Sequence, residues 1–444
     1  MEYVKLVCND GVSRRFSRLV MGTDHLIQAG WVDEKQPEPT RAQVYAVLDE
    51  AARRGINLFD TSPIYVGGVE YALGEWRASR AAQIADGGFY DRAGLNPDRK
   101  LYALSKGGFP FDLFWLKKLP AGCHAKELIY ELKRRGILAP DAVDWRTREW
   151  PLKDVPPGTY ASHLYCEKKL MIERISGELK HTRENLHGGI DVYLMHRDDG
   201  DAIAFEAVDR EQTPVTRILE AVSAPEISSQ FKAMGWSNWR THRVEESLRL
   251  AKGDDRFARP LINSPYFSLF EMSEKTIHAL GVQVVHAEMM DPGFQKGIKI
   301  MPYSPLGGFS ILDKPAPSWE NAKKSAYAKH EAGDPYWRNV YPAIFTRENE
   351  ARWHRAVRFL HGFNKENGTS YTIDQLLNAY VLAHPRTDLL AIGPITVEQV
   401  RRTVDALPLA KRLSREDLDY LHGGTAAPTA GRARQPDGRQ DALR

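Results

Sequence analysis

Apolar residues along this chain fall into short runs, each closed by a charged, glycine or turn residue, and the runs alternate with stretches of helical spacing. Leu19-Val20-Met21-Gly22-Thr23 is the first such run, followed by Asn57 to Asp60, Leu101 to Ser105 and Ile190 to His196. Phe231 to Trp236, Pro260 to Asn263, Lys299 to Tyr303 and Leu389 to Gly393 complete the series. Runs of this length and composition predict buried strands. Arg41 to Arg54 instead places Val44, Val47, Leu48 and Ala51 on one helical face, and Cys166 to Leu186 has similar spacing. Strands alternating with helices imply a parallel sheet of the α/β class. Eight such units suggest a closed (β/α)8 TIM barrel, although the count alone leaves an open doubly wound sheet alive. Ahead of them, Tyr3 to Val7, an Asn9-Asp10-Gly11 turn and Arg14 to Phe16 predict an N-terminal hairpin.

Two stretches are too long for ordinary connections. Residues 109–165 are rich in Pro, Trp and mixed charge, with a helix expected over Ala125–Arg135; Asp313–Pro342 carries Trp319, Tyr327, Tyr336, Trp337 and Tyr341. Long aromatic loops at the C-terminal mouth of a barrel cover or shape an active site, and surface packing or a homo-oligomer contact accounts for them equally well. Gly423 to Arg444 has little to bury and is expected to be disordered, which leaves residues 1–422 as a single domain. Composition narrows the field further. With 42% hydrophobic and 27% charged residues the chain reads as soluble and globular, and a net charge of +3 over 444 residues makes no case for nucleic acid as a partner. Cys8, Cys123 and Cys166 form neither a disulfide framework nor a zinc pattern, so a reducing compartment is expected. No apolar run reaches bilayer length and the N-terminus lacks a signal-peptide flank, so a cytoplasmic protein with no membrane partner is expected.

Four ionisable residues stand at or just past strand ends: Asp60, Tyr65, Lys106 and His196. In a parallel barrel these ends open on one face, so the four can converge. Tyr is a poor proton donor at its ordinary pKa near 10, but a nearby ammonium stabilises the phenolate. Lys106 can supply that ammonium, Asp60 can hold it charged and oriented, and His196 can hydrogen-bond a substrate carbonyl. Singly, an Asp after a strand is usually a cap and a Tyr is usually packing. Lys106 has the fewest structural uses, because lysine is rarely buried. Asp198 and Asp199 read as a solvated turn, and His278, His286 and His330 lack metal-ligand spacing.

The motifs around these residues resemble the aldo-keto reductase family. Phe59-Asp60-Thr61-Ser62 with Tyr65, Ser105-Lys106, Asp191-Val192-Tyr193-Leu194-Met195-His196, Gly235-Trp236-Ser237-Asn238, Pro302-Tyr303-Ser304-Pro305-Leu306-Gly307-Gly308 and Ile392-Gly393 with Gln399 follow one another in family order. The resemblance implies a (β/α)8 barrel, an Asp-Tyr-Lys-His tetrad and NADP(H) as cofactor, with NAD(H) kept as the alternative. It implies Tyr65 as general acid, Lys106 as modulator of its pKa, Asp60 as partner of Lys106 and His196 as substrate orienter. Ser237, Asn238 and Asn263 would meet the nicotinamide carboxamide, and Tyr266 would lie under the ring. Gly22 and Thr23 would floor the site, and Asp24 and Trp236 would face substrate. Tyr303, Ser304, Leu306 and Gly308 would run along the pyrophosphate, with Gly393, Thr396, Gln399 and Arg402 at the adenosine end.

The chain departs from the family pattern at Asn263, where Gln is usual, and at Arg402-Thr403, where Glu-Asn is usual; Arg401 or Arg402 would then meet a 2′-phosphate. The expected activity is reduction of an aldehyde or ketone, or the reverse oxidation, on a small-molecule substrate that the aromatic loops suggest is large for its class, polar and ring-shaped, such as a sugar-like or natural-product intermediate. Two alternatives keep the fold: a cofactor-sensing subunit of a larger assembly, and a redox-neutral epimerase using bound nicotinamide.

Overall fold

The computed structural model describes residues 1–26, 41–63, 65, 69–108, 171–198, 213–273, 276–277, 281–308, 317–332 and 337–424. The expectations for 109–165, for Ala125–Arg135 and for a disordered tail beyond residue 424 lie outside the described residues.

The hairpin forms from β1 (Tyr3–Val7) and β2 (Ser13–Ser17), paired antiparallel with Val4 opposite Phe16. The strands that follow are β3 (Leu19–Gly22), β4 (Leu58–Asp60), β5 (Tyr102–Gly107), β6 (Val192–Met195), β7 (Ala233–Ser237) and β8 (Pro260–Ser264). A short antiparallel pair, β9 (Thr276–Ile277) and β10 (Gly281–Val282), precedes β11 (Lys299–Ile300) and β12 (Leu390–Ile392). Eight of them make one parallel sheet in the order β11-β8-β7-β6-β5-β4-β3-β12. The two ends of that list meet: Leu389 N–H donates to Ile300 O at 3.1 Å and Ala391 N–H to Pro302 O at 2.9 Å. These bonds close the sheet into the expected (β/α)8 barrel, which leaves no strand edge open.

Strand phase sorts the side chains into two layers. Val20, Leu58, Tyr102, Leu104, Val192, Leu194, Ala233, Ile262, Met301 and Ala391 share the inner cluster. Their neighbours Met21, Phe59, Ala103, Tyr193, Met195, Met234, Trp236, Ile300 and Leu390 belong to the outer cluster, packed against helices. Leu6, Cys8 and Phe16 of the hairpin join the inner cluster, and Phe16 meets Tyr102 edge-on at 5.0 Å. The hairpin therefore plugs the N-terminal end of the barrel, where burial of a ring such as Phe16 contributes roughly 1.5–3 kcal/mol. Two glycines serve close backbone approach. A Cβ on Gly235 would lie 1.9 Å from Ile262 O, at the register shift between β7 and β8, and one on Gly74 would lie 1.9 Å from Asn185 O. The Gly74 contact packs the helix Val69–Asp86 onto the helix Met171–Leu186.

Two expectations change. The described part of the second long stretch is helical, in Trp319–Glu331 and Trp337–Ile344, with Ser318 capping the first by accepting from Asn321 N–H. Trp319 is buried against Phe270 and Trp353, so it is core and not a loop aromatic. Asp198 is likewise 1% exposed and ion-paired to Arg243 at 2.8 Å, not part of a solvated turn. Among the described residues no helix is long and apolar enough to cross a membrane.

Behind the sheet, a polar knot joins the segment after β8 to the last helices. His286 Nδ1 lies 2.9 Å from Tyr380 Oη and 3.0 Å from His384 Nε2, and its Nε2 lies 2.9 Å from Asp419. Glu271 pairs with Arg352 at 2.9 Å and His422 at 3.1 Å. Burial holds the His384 imidazole down at about 3, against an ordinary 6.5. Burial pushes the Glu271 carboxyl up, but His422, the His286 N–H and Arg352 together bring it down to about 2. Unfolded chains bind the histidine proton below pH ~6.5 and folded ones do not until about 3, so stability falls as pH falls across that window. The Glu271 contribution, present above its ordinary 4.5, is lost below it in the same direction. Tm is therefore expected to drop steadily from pH 7 toward pH 4, and His384→Gln to flatten the upper part of that drop in calorimetry. A Tm independent of pH over that range would refute the assignment.

Candidate active site

The candidate site is the next inward step of the strands beyond the inner core. Two residues past Leu58 stands Asp60, two past Leu104 stands Lys106 and two past Leu194 stands His196. Gly22, Tyr303 and Gly393 hold the same relation to Val20, Met301 and Ala391, and Ser237 lies two such steps past Ala233. A period of two thus carries one face from hydrocarbon to chemistry at the C-terminal mouth.

Lys106 is 4% exposed and its ammonium is fully committed. Nζ donates to Asp60 Oδ1, to Tyr65 Oη at 2.7 Å and to Thr61 O at 3.3 Å, one bond for each of its three N–H groups. Burial raises Asp60 and lowers Lys106, and the contact between them opposes both. Burial likewise lifts the Tyr65 phenol well above its ordinary 10.0, with Asp60 and Asp24 adding to the rise and Arg197 opposing it. Tyr65 is therefore protonated at neutral pH, with a cation already placed at the atom that would lose the proton. His196 lies beside it, ring centroids 6.0 Å apart and edge-on. Ser62 Oγ lies 3.2 Å from His196 Nδ1 and fixes that ring. The structure thus brings Asp60, Tyr65, Lys106 and His196 together. It adds Arg197, and gives Ser62 of the Phe59-Asp60-Thr61-Ser62 motif a place against His196.

The expected cofactor residues divide. Thr23 clamps the end of β4, its N–H and Oγ1 donating to Asp60 O at 3.0 and 2.8 Å. A Cβ on Gly22 would lie 2.8 Å from Ile392 O, so that floor position is closed to larger residues. Asp24 is half exposed on the rim. Asn238 takes a left-handed φ of 59° and turns its amide inward, donating to Ser237 Oγ at 2.9 Å. Tyr266 is 2% exposed, with its hydroxyl fixed 2.9 Å from both Ser268 Oγ and Phe270 O, and its ring edge-on to Tyr303. After β11 the chain turns through Ser304, Gly307 and Gly308 at φ of 55°, 89° and 74°, with Leu306 packed beneath. The Gly307 N–H donates to Ser304 O at 2.9 Å and closes this turn. Together, a tight glycine turn, an anchored aromatic ring and an inward amide at a barrel mouth fit a dinucleotide.

Other expected positions take different work. Trp236 lies in the outer layer, its ring tilted against Trp239 with centroids 4.2 Å apart, and donates to Ser247 Oγ at 2.9 Å. Asn263 donates to Gln295 Oε1 at 2.8 Å. Thr396 and Gln399 form a capping box on the helix Val397–Val404: Thr396 Oγ1 accepts from Gln399 N–H at 3.2 Å, and Gln399 Oε1 from Ile395 N–H at 2.7 Å. Gly393 is exposed at the turn before them. Arg402 pairs with Asp374 at 3.3 Å and Arg401 with Glu50 at 2.8 Å.

The sequence of residues 166–423 matches the family model of the aldo/keto reductase family. The chain belongs to the aldo/keto reductase family. No curated protein matches it. The matched span contains His196, Ser237, Asn238 and the loop after β11, whereas Asp60, Tyr65 and Lys106 precede it. The hydrogen bonds among those three are thus independent support for the same site. As an aldo/keto reductase the chain is an oxidoreductase of a nicotinamide-dependent family.

Proposed function

We propose that this aldo/keto reductase interconverts a carbonyl and an alcohol with NADP(H), using Tyr65 as general acid. The observation that carries the reading is the Lys106 ammonium bonded at once to Asp60 and to the Tyr65 hydroxyl. A bound reduced nicotinamide would supply the hydride. Tyr65, protonated at neutral pH, gives its proton to the carbonyl oxygen as negative charge grows there. Lys106, already 2.7 Å away, stabilises the phenolate left behind. Asp60 keeps Lys106 aimed, and His196, set by Ser62, orients the carbonyl oxygen.

The preference for NADP(H) comes from the family pattern, and Arg402 is the residue proposed for the 2′-phosphate. Its side chain is 31% exposed, so exchange of Asp374 for a phosphate is open to it. With Trp319 buried in the core, the argument for a sugar-like or natural-product substrate weakens, and the proposed class is aldehydes and ketones. A panel of both, assayed by loss of reduced-nicotinamide absorbance with NADPH and NADH in parallel, tests the reading. Turnover is expected with NADPH at the lower KM. A clear NADH preference would overturn the nucleotide assignment, and no turnover on any carbonyl would overturn the activity.

A further inference from the structure

Glu70 is completely buried in the first turn of the helix Val69–Asp86 and takes no part in the proton transfer described above. A carboxylate buried to this degree must be held by donors. The Ser105 hydroxyl donates to Glu70 Oε1 at 2.7 Å, and Asn185 Nδ2 donates to Oε2 at 3.2 Å. Ser105 directly precedes Lys106 on β5. On that strand Ala103 belongs to the outer cluster and Leu104 to the inner one. Alternation then turns Ser105 toward the helices and Lys106 toward the mouth. Glu70 therefore grips β5 from the helix side, one residue from the ammonium. Along its own chain Glu70 follows Tyr65 by five residues. The links close a ring: the chain from Tyr65 to Glu70, the hydrogen bond from Ser105, the peptide bond to Lys106, and the 2.7 Å bond from Nζ back to Tyr65 Oη. Asn185 ties that ring to the helix Met171–Leu186, where Gly74 lets its carbonyl come close.

We infer that Glu70 is a positioning residue for the proton transfer, fixing through Ser105 the distance between the Lys106 ammonium and the Tyr65 hydroxyl. It acts across β5, from the face opposite the chemistry, and holds donor and cation in register before a substrate arrives. The inference rests on the reading of Tyr65 as general acid and names what keeps its geometry.

Three variants of the full chain separate this role from general support of the helix. Ser105→Ala cuts the grip on β5. Glu70→Gln sets an NH2 group against one of the two donors, Ser105 or Asn185. Asp49→Asn loosens the same helix further along, where Asp49 accepts from Trp76 Nε1 at 2.8 Å and pairs with Arg80 at 2.9 Å. With the aldehyde of the panel that turns over fastest, Ser105→Ala and Glu70→Gln are each expected to lower kcat ~10–100-fold. KM and the NADPH Kd are expected to stay within about twofold. The solvent isotope effect on kcat is expected to rise in both, because proton transfer becomes the slower step. Asp49→Asn is expected to lower Tm and leave kcat and the isotope effect unchanged. A second readout needs neither cofactor nor substrate: the NMR signal of Tyr65 Cζ in isotope-labelled protein, assigned by its loss in Tyr65→Phe. It is expected to move toward that of a phenol in water in the first two variants and to stay in the third. Ser105→Ala with native circular dichroism and unchanged kcat, isotope effect and Tyr65 signal overturns the inference, whether or not Glu70→Gln folds. Asp49→Asn matching the other two in isotope effect and Tyr65 signal also overturns it, because Glu70 would then be support for the helix alone. Wild-type protein without turnover on any carbonyl overturns the general-acid reading and the inference together.

Discussion

Tyr65→Phe is expected to lower kcat for carbonyl reduction by ~10²–10⁴-fold, the usual share of a positioned general acid, while leaving the Kd for NADPH within about twofold. The phenol oxygen is the one group in the cluster that both carries a proton at neutral pH and touches the Lys106 ammonium. Removing it deletes the donor and leaves the ring. The structure makes Lys106 Nζ lose one of three bonds, the others to Asp60 and Thr61 O persisting, so the fold should tolerate the change. Steady-state kinetics paired with fluorescence-quench binding checks both halves. The pH profile adds a direction: with Tyr65 raised well above 10.0 by burial, wild-type reduction should be level through neutral pH and fall only in the alkaline range.

The second large effect is on stability and activity together. Lys106→Met removes the cation from a pair in which Asp60 is 6% exposed. A buried carboxylate left alone costs about 3–5 kcal/mol or takes up a proton, so urea unfolding should show a loss of that order. Adding Asp60→Asn to Lys106→Met should recover much of the stability, because the orphaned charge is gone, yet recover no activity. A double variant no more stable than Lys106→Met alone would mean that the pair is not the source of the loss. Recovery of turnover would mean that Tyr65 needs no cation.

The barrel was legible because every one of its strands is an apolar run ending in a turn or charged residue, and Asp60, Lys106 and His196 sit where those runs stop. Strands of a parallel sheet are apolar on both faces, so periodicity cannot say which way a given side chain points. Trp236 and Asn263 were placed at the site by the family resemblance, on which periodicity had nothing to say. The register shift between β7 and β8, where Met234 pairs with Pro260 but Gly235 with Ile262, accompanies the close approach of Gly235 to Ile262 O and is invisible in sequence. Thr396 and Gln399, which the resemblance sets near the adenosine end, also spell a capping box that a local rule reads from their spacing. Ser62 lay inside a motif without a role of its own and Arg197 gave no signal, since what makes them matter is a contact with His196 or Tyr303 across the barrel. The aromatic stretch near Trp319 was read as loop because its aromatics do not repeat cleanly, though Ser318 with Asn321 caps a helix there.

The central claim is that this barrel mouth passes a hydride to a carbonyl carbon and a Tyr65 proton to its oxygen. The most direct measurement supplies NADPH deuterated at nicotinamide C4 with an accepted aldehyde and follows the label by mass spectrometry. The account predicts one deuterium on the former carbonyl carbon, from a single C4 face, in wild type, and essentially none in the same time with Tyr65→Phe. Label lost to water, label returned to the same substrate carbon without net reduction, or undiminished transfer by Tyr65→Phe would contradict it.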